Sequence, residues 1–477
     1  MGAVSRGDAR HERAIFVLLD GAGAKRLEGL VEKGELPNVA RAFPHLGRAV
    51  TVFPSVTTVA YAPFVTGRFP GRNGIPGLRW FDRREYARSR LSLHRFRDYC
   101  GPGSYLVDRD LEPSAPTLYE LVKPSMNVFG SVSRGAGPFR NALFFTRAAY
   151  AWRLRRTGDW RPIDARGELE LVRAVARGHR FIFYAFLSVD GESHRFGPDD
   201  PRVIDAFRRF DATLGTLLAT LEARGERDRT LLLLSADHGH SAVDRHLDLE
   251  GFFEKRGLRT LYFPRLVGAN GRCDAAVMVG GNAMAHVYLP GPSGWATPPD
   301  ETAIFRAHPT LVEDLLAEDA VHVVAWRGED GRVHARGREG EVAIRLEDGA
   351  VLHRVVRGAD PFGYANLSAR ASLAAHLGET LSGDYPDAPL QLAQLFSSVR
   401  TGDLVISARP GHDLRDRFED PEHRSTHGSL HREHMVVPLL SSHPLDPGPA
   451  RTVDVFPTVL SLLGEQPPDA IDGRALA

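Results

Sequence analysis

Three stretches of the chain are apolar at nearly every consecutive position rather than at every second one. They are AIFVLL (Ala14–Leu19), FIFYAFLSV (Phe181–Val189) and TLLLLSA (Thr230–Ala236). A strand with one face toward water alternates, so unbroken runs of this kind read as strands buried on both faces of a mostly parallel sheet. A fourth run, MVVPLLSS (Met435–Ser442), lies near the C-terminus. The segments between them read as helices. Pro201–Arg224 places Val203, Phe207, Phe210, Leu214, Leu217 and Leu221 at helical spacing and stops at Gly225, and Asp454–Leu463 repeats the pattern before Gly464. Strands alternating with helices predict an α/β layered fold.

A chain of 477 residues is long enough for one large domain carrying inserted lobes. Two lobes are expected, at about 83–180 and about 250–384. The first is rich in Arg and aromatic residues without a clean period and is expected to wrap one face of the core. The second contains a small β-rich stretch at about 321–356, where Asp330-Gly331 and Asp348-Gly349 read as hairpin turns. Arg79–Arg97 and Trp152–Arg161 have two readings: a grip on an anionic leaving group, or a solvated surface of snorkelling arginines. The solvated surface is the preferred one.

Lys+Arg and Asp+Glu both count 60, so no global field draws the chain toward a nucleic-acid polymer or an anionic membrane. No apolar run is long enough to span a bilayer. The opening MGAVSRGDARHER is short and polar, which does not encode a cleaved signal peptide, and a cytoplasmic protein is expected. Cys100 and Cys273 stand far apart without metal-ligand spacing and read as two free thiols.

The chemistry lies where the buried runs end. Asp20 follows the first, Asp190 the second and Asp237 the third. In open α/β sheets ligands bind beyond the carboxyl ends of the strands, and three carboxylates gathered there repel one another unless cations neutralise them. Histidines accompany them: His194 four residues after Asp190, at the start of an expected loop running to Gly197-Pro198, His238 beside Asp237, and His427 in Ser425-Thr426-His427-Gly428. A lone Asp at a strand end is more often a cap, and a lone His more often structural. Together, the ordered set DxxxHxxGP, ADHG and THG points to two divalent cations. Mixed oxygen and nitrogen ligands suit Zn²⁺, with Mn²⁺ or iron as competitors. His412, His423, His431 and His434 crowd around His427 and receive no ligand role.

A nucleophile is expected at Thr57 or Thr58, where a helix begins in FPSVTTVAYAPFVTG. A hydroxyl there has free backbone N–H groups and the helix dipole beside it, favouring an alkoxide and a bound phosphate. The bland alternative is that Thr57 is only the N-cap. Pro63 is expected to shorten or kink this helix.

These motifs resemble the alkaline phosphatase superfamily, especially its type I phosphodiesterase/nucleotide pyrophosphatase branch. The resemblance covers Ile15–Pro76, Phe181–Ser241 and Pro386–Leu476. It implies a three-layer α/β/α sandwich and makes Thr57 the nucleophile, transiently phosphorylated. One metal would be held by Asp190, His194 and His427, and the other by Asp20, Asp237, His238 and the Thr57 oxygen. The implied reaction is hydrolysis of a small phosphate ester, a phosphodiester or nucleotide pyrophosphate, by two in-line displacements. One departure stands out. Diesterases of this group carry an Asn where Gly74-Ile75-Pro76-Gly77 is followed by Leu78, which donates no hydrogen bond, so Arg79 or a backbone amide is expected to bind the phosphoryl group instead. A phosphomonoesterase or phosphonate hydrolase of the same superfamily remains an alternative, as does a catalytically inactive nucleotide- or partner-binding protein. A sulfatase is disfavoured, because Thr57 is not followed by the Pro and Arg which that chemistry requires.

Overall fold

The computed structural model describes residues 10–100, 102–142, 147–262, 272–415 and 422–477. The first nine residues, on which much of the signal-peptide reading rests, lie outside the described residues. The central sheet has seven strands: β1 (Arg13–Leu19), β2 (His45–Val50), β3 (Ser125–Val128), β4 (Phe181–Phe186), β5 (Thr230–Ser235), β6 (Val436–Ser441) and β7 (Ala450–Arg451). Their order is β7-β2-β6-β5-β1-β4-β3. Strands β5, β1, β4 and β3 run parallel, and β6 runs antiparallel to both of its neighbours. All residues of β1, β4 and β5 are buried, as unbroken apolar runs require.

Alternation along β4 shows what covers each face. Phe183 packs at 5.3 Å from Phe16 and 5.8 Å from Tyr61, and Phe16 lies 4.7 Å from Phe64. Tyr61 and Phe64 belong to α2 (Thr57–Thr66), following α1 (Ala24–Glu32) in the chain. The neighbouring positions point the other way. Tyr184 closes on Gly167 of α3 (Arg161–Ala176), where a Cβ would lie 3.0 Å from its ring. Phe186 meets Phe210, 5.4 Å away, which follows α4 (Ser188–Phe196) on α5 (Pro201–Ala223). Helix α6 (Val455–Leu462) packs against α2. The sheet is thus the middle of a three-layer α/β/α sandwich.

Several expectations change. The run Phe181–Val189 is not one strand: β4 ends at Phe186 and α4 starts at Ser188. The 83–180 lobe supplies β3, the edge strand of the central sheet, in addition to helices. The stretch 321–356 belongs to a nine-stranded sheet whose strands span residues 260 to 408. Its strands pair antiparallel except at one edge, where Thr260–Leu261 runs parallel to Ala275–Gly280. Asp330-Gly331 and Asp348-Gly349 sit in two of its hairpin connections.

The arginines of 79–97 are not a solvated surface throughout. Arg79, Arg83, Arg95 and Arg97 are buried, and three of them meet carboxylates: Arg79 meets Asp98, Arg83 meets Asp403 and Arg97 meets Asp110. Arg153 and Arg156 of the second segment are exposed, as expected, and the side chain of Trp152 lies outside the described residues. Cys100 is exposed and Cys273 buried, and the two form no disulfide. Among the described residues no helix is long and apolar enough to cross a membrane.

The buried aromatic stack makes a stability prediction. Phe183→Ala should cost about 3–5 kcal/mol and lower the melting temperature clearly. Leu46→Ala, at a side chain that is 55% exposed, should stay within about 0.5 kcal/mol of wild type. Equal effects in thermal or urea unfolding would contradict this account of the core.

Candidate metal centre

Register explains why the acidic groups meet. Leu18 pairs with Ser235 across β1 and β5, so the chain leaves both strands at one level and Asp20 and Asp237 emerge side by side. Gly21 N–H donates to Asp237 Oδ1 at 3.1 Å. Because β6 is antiparallel to β5, its beginning lies at the edge where the parallel strands end. The residues preceding β6, including His427, therefore arrive at the same edge.

Asp190 and His194 reach it by another device. They lie on α4 rather than in a loop, and their four-residue spacing puts both side chains on one helical face. His427 is held by the second sheet. Its N–H donates to Gly281 O at 3.2 Å and its carbonyl accepts from Ala283 N at 3.1 Å. Both partners flank the turn between strands Ala275–Gly280 and Met284–Tyr288.

The three imidazoles share one hydrogen-bond pattern. His194 Nδ1 donates to Ser425 O (3.1 Å), His427 Nδ1 to Ser55 O (3.0 Å) and His238 Nδ1 to Gly239 O (3.2 Å). A carbonyl only accepts, so each ring carries a proton on Nδ1 and turns its Nε2 to the site. Two of these nitrogens, on His194 and His427, face each other at 3.2 Å. His238 Nε2 lies 3.1 Å from Asp237 Oδ2 and 3.7 Å from Asp20 Oδ1. Both of those carboxylate oxygens are buried without a hydrogen-bond partner. Lone pairs and carboxylate oxygens packed together in this way repel, and a bound cation removes the repulsion.

The donor atoms fall into overlapping groups, each within 4.8 Å: Asp190, His194 and His427; Asp20, Asp237 and His238; and Asp190, His238 and His240. Bonds of about 2.0–2.2 Å to a tetrahedral ion set ligand–ligand edges of roughly 3.3–3.6 Å, which resembles the 3.1, 3.2 and 3.4 Å separations here. The residues fit divalent cations. The first two groups contain six of the seven residues expected from the sequence to bind metal.

Thr57, the seventh, opens α2, and its hydroxyl lies 3.4 Å from His238 Nε2. It is not the N-cap. Val56 holds that position, and no side chain caps the first-turn N–H groups. Thr58 is buried. Helix α2 runs through Pro63 to Thr66 without shortening, because buried packing on β1 and β4 outweighs the missing hydrogen bond. Leu78 is buried, and Arg79 is turned away to Val279 O (3.0 Å) and Asp98 (3.2 Å).

Electrostatics separate the carboxylates. Burial raises Asp20 well above the usual carboxylate range, reinforced by Asp237 and Asp190, while Tyr61 donates to its Oδ2 at 2.6 Å. Burial also opposes charge on Asp190, but His194 and His240 outweigh it and hold that carboxyl well below its ordinary value. Burial, then His238 and His194, keep His427 neutral by lowering it strongly.

Sequence reasoning gave no place to His240, whose Nε2 lies 2.9 Å from Asp190 Oδ1. The signal was the spacing His238-Gly239-His240, since two positions along an extended chain share a side. His434, also left unassigned, links Ser241 (2.8 Å) to Ser429 (2.7 Å) and ties the His238 segment to the His427 loop.

A three-layer sandwich with these acidic and imidazole groups at its carboxyl edge defines an alkaline-phosphatase-like metallohydrolase fold. The sequence match is specific to one branch. Over residues 14–430 the chain matches the type I phosphodiesterase / nucleotide pyrophosphatase family, and it belongs to that family of metal-dependent phosphoric ester hydrolases. Among solved structures it is similar to phosphonoacetate hydrolase from Sinorhizobium meliloti 1021 in complex with phosphonoacetate. Identity there is 16%, with TM-score 0.57, 95% of this chain and 96% of that chain covered. It is also similar to murine ectonucleotide pyrophosphatase/phosphodiesterase 5, an inactive form in complex with AMP, at 13% identity and TM-score 0.56 with 96% of each chain covered. No curated protein matches the sequence.

The crowded carboxylates set a pH-dependent test. Raised in the folded protein, Asp20 contributes stability below the unfolded value of about 4, and that contribution is lost as pH rises through its folded value. In a chelator, Asp20→Asn should therefore gain stability over wild type as pH increases from 4 to 8. Added Zn²⁺ should reverse the order by stabilising wild type more. Thermal melts across pH, with and without Zn²⁺, check both signs.

Proposed function

We propose that this enzyme hydrolyses phosphodiesters or nucleotide pyrophosphates through a phosphothreonine on Thr57. Asp190, His194 and His427 hold one divalent cation, and Asp20, Asp237, His238 and Thr57 hold a second. The observation that carries this reading is the pair of buried, partnerless oxygens on Asp20 and Asp237 facing the imidazole nitrogen to which the Thr57 hydroxyl points. Nitrogen and oxygen donors in this number favour Zn²⁺. When bound, the cations supply Lewis-acid charge to the entering and leaving oxygens.

Thr57 Oγ1 attacks phosphorus in line with the departing alcohol or nucleotide, forming a Thr–O–P bond as the P–O bond to that group breaks. The phosphoryl group on Thr57 keeps its second ester group, and water then breaks its bond to Thr57, restoring the hydroxyl and releasing a phosphomonoester. With Leu78 unable to donate and Arg79 committed to Asp98 and Val279, the phosphoryl oxygens fall to the uncapped N–H groups opening α2. AMP and phosphonoacetate, bound by the two structural relatives, are small phosphorus anions of the size such a site takes. A phosphonate is the second substrate class to test, on the strength of the phosphonoacetate relative.

The decisive measurement is a panel of p-nitrophenyl thymidine monophosphate, bis-p-nitrophenyl phosphate, p-nitrophenyl phosphate and phosphonoacetate, with Zn²⁺ or Mn²⁺. Turnover should be fastest on the nucleotide ester. Thr57→Ala should lose on the order of 10³-fold or more, and mass spectrometry of wild type acid-quenched with the nucleotide ester should find a thymidylyl group on Thr57. Undiminished turnover by Thr57→Ala removes the nucleophile assignment.

A further inference from the structure

Asp190 Oδ1 lies within reach of imidazoles from both proposed cation groups. It lies 3.4 Å from His194 Nε2, 3.9 Å from His427 Nε2 and 3.9 Å from His238 Nε2. A rotation of this carboxylate would alter both groups together. Asp190 sits on the first turn of α4, with a side chain 19% exposed, so packing alone does not fix its orientation.

His240 does. Its side chain is 2% exposed, and both ring nitrogens are committed. Nε2 stands 2.9 Å from Asp190 Oδ1, and Nδ1 stands 3.0 Å from Ser425 Oγ. A carboxylate only accepts, so Nε2 carries the proton and the serine hydroxyl donates to Nδ1. The carbonyl of the same Ser425 accepts from His194 Nδ1. Ser425 itself is registered opposite Ala242 in a short antiparallel pairing, which places it one strand away from His240. One residue thus orients an imidazole of the cluster through its carbonyl and, through its hydroxyl and His240, the central carboxylate.

The surrounding backbone is shaped to admit this bond. Gly21 has φ of +77°, and a Cβ there would lie 2.7 Å from His240 Nε2 and 2.9 Å from Asp190 Cα. A Cβ on Gly239 would lie 2.1 Å from Glu433 O, in the short helix Arg432–Met435, so the segment presses its back to that helix and turns His238 and His240 to the site.

We propose that His240 is a positioning residue that locks Asp190, with Ser425 fixing its tautomer, and thereby sets how tightly and at what mutual spacing two divalent cations are held. Outer-shell partners of this kind are worth about 10–100-fold in metal affinity. The inference rests on the two-cation reading, and its failure is separable from that reading's failure. Wild type binding fewer than two ions would sink the reading itself, whereas a wild type with two ions and an indifferent His240 would sink only the present proposal.

The test uses Zn²⁺ titration against a chromogenic chelator, and Mn²⁺ titration followed by electron paramagnetic resonance for the spin coupling of neighbouring ions. His240→Leu, which removes the donor, should weaken Zn²⁺ binding by about 10–100-fold and change the Mn²⁺ coupling. His240→Gln, whose amide N–H can reach the same carboxylate, should recover most of both. Ser425→Ala should weaken binding less, and its effect should vanish in the His240→Leu background. A ligand role for His240 predicts instead that Gln is as damaging as Leu, because an amide nitrogen does not coordinate. That result, or wild-type affinity and coupling in His240→Leu, overturns the proposal. Should His240→Leu not fold, the Gln and Ser425→Ala variants decide alone: recovery with Gln and weakened binding with Ser425→Ala support the lock, and any other pairing refutes it.

Discussion

Everything at the carboxyl edge of the sheet follows from one electrostatic conflict. Three imidazoles are turned by backbone carbonyls so that their Nε2 atoms face inward, into a space shared with the carboxylates of Asp20, Asp190 and Asp237. Burial sharpens the conflict, since water is not there to screen it. A sequence selected for stability alone would not hold two partnerless carboxylate oxygens beside a lone pair. The arrangement is costly to the bare polypeptide and favourable around positive charge. Binding free energy at such a site is partly folding free energy.

The conflict explains the choice of supports. The inward-facing groups are held from behind by hydrogen bonds: Tyr61 behind Asp20, the Gly21 amide behind Asp237, His240 behind Asp190, and main-chain carbonyls behind the histidines. The ring of His238 stacks on that of His427 at 3.6 Å with planes 5° apart, which ties the two donor groups mechanically. A change at one group is therefore felt at the other, and effects of neighbouring substitutions should not add.

Much of this could be read from residue order. Unbroken apolar runs gave β1, β4 and β5, and the acids that follow them led to the site because registered parallel strands end together. The Pro201 helix was legible to its last buried leucine, Leu221. Other features carried too little local signal. Ser125–Val128 is four residues long and mixed in polarity, so nothing marks it as a strand until β4 pairs with it. Asp190 and His194 were placed in a loop because the apolar run obscures the change from strand to helix after Phe186. The nine-stranded sheet eluded the pattern because its partners are distant: Leu404–Ala408 pairs with both Met284–Tyr288 and Val321–Arg327. The buried arginines looked solvated because their acids, Asp110 and Asp403, stand elsewhere in the chain.

That second sheet is part of the chemistry rather than an appendage. His427 comes from the last quarter of the chain, and among the described residues no strand of the central sheet pairs with its loop until β6 begins. At His427 itself the loop is held by the turn at Gly281, Asn282 and Ala283, which exchanges backbone hydrogen bonds with it on both sides, beside the pairings of Ser425 with Ala242 and of Gly428 with Ser55. Asn282 turns with φ of +66°, a conformation the hairpin imposes and an Asn tolerates. A cation held by His427, Asp190 and His194 would then connect the inserted sheet to helix α4 and so to the central one. Metal binding would stabilise both layers at once, because loosening either would free a ligand. The sheet that varies most from the expected pattern is thereby coupled to the residues that vary least from it.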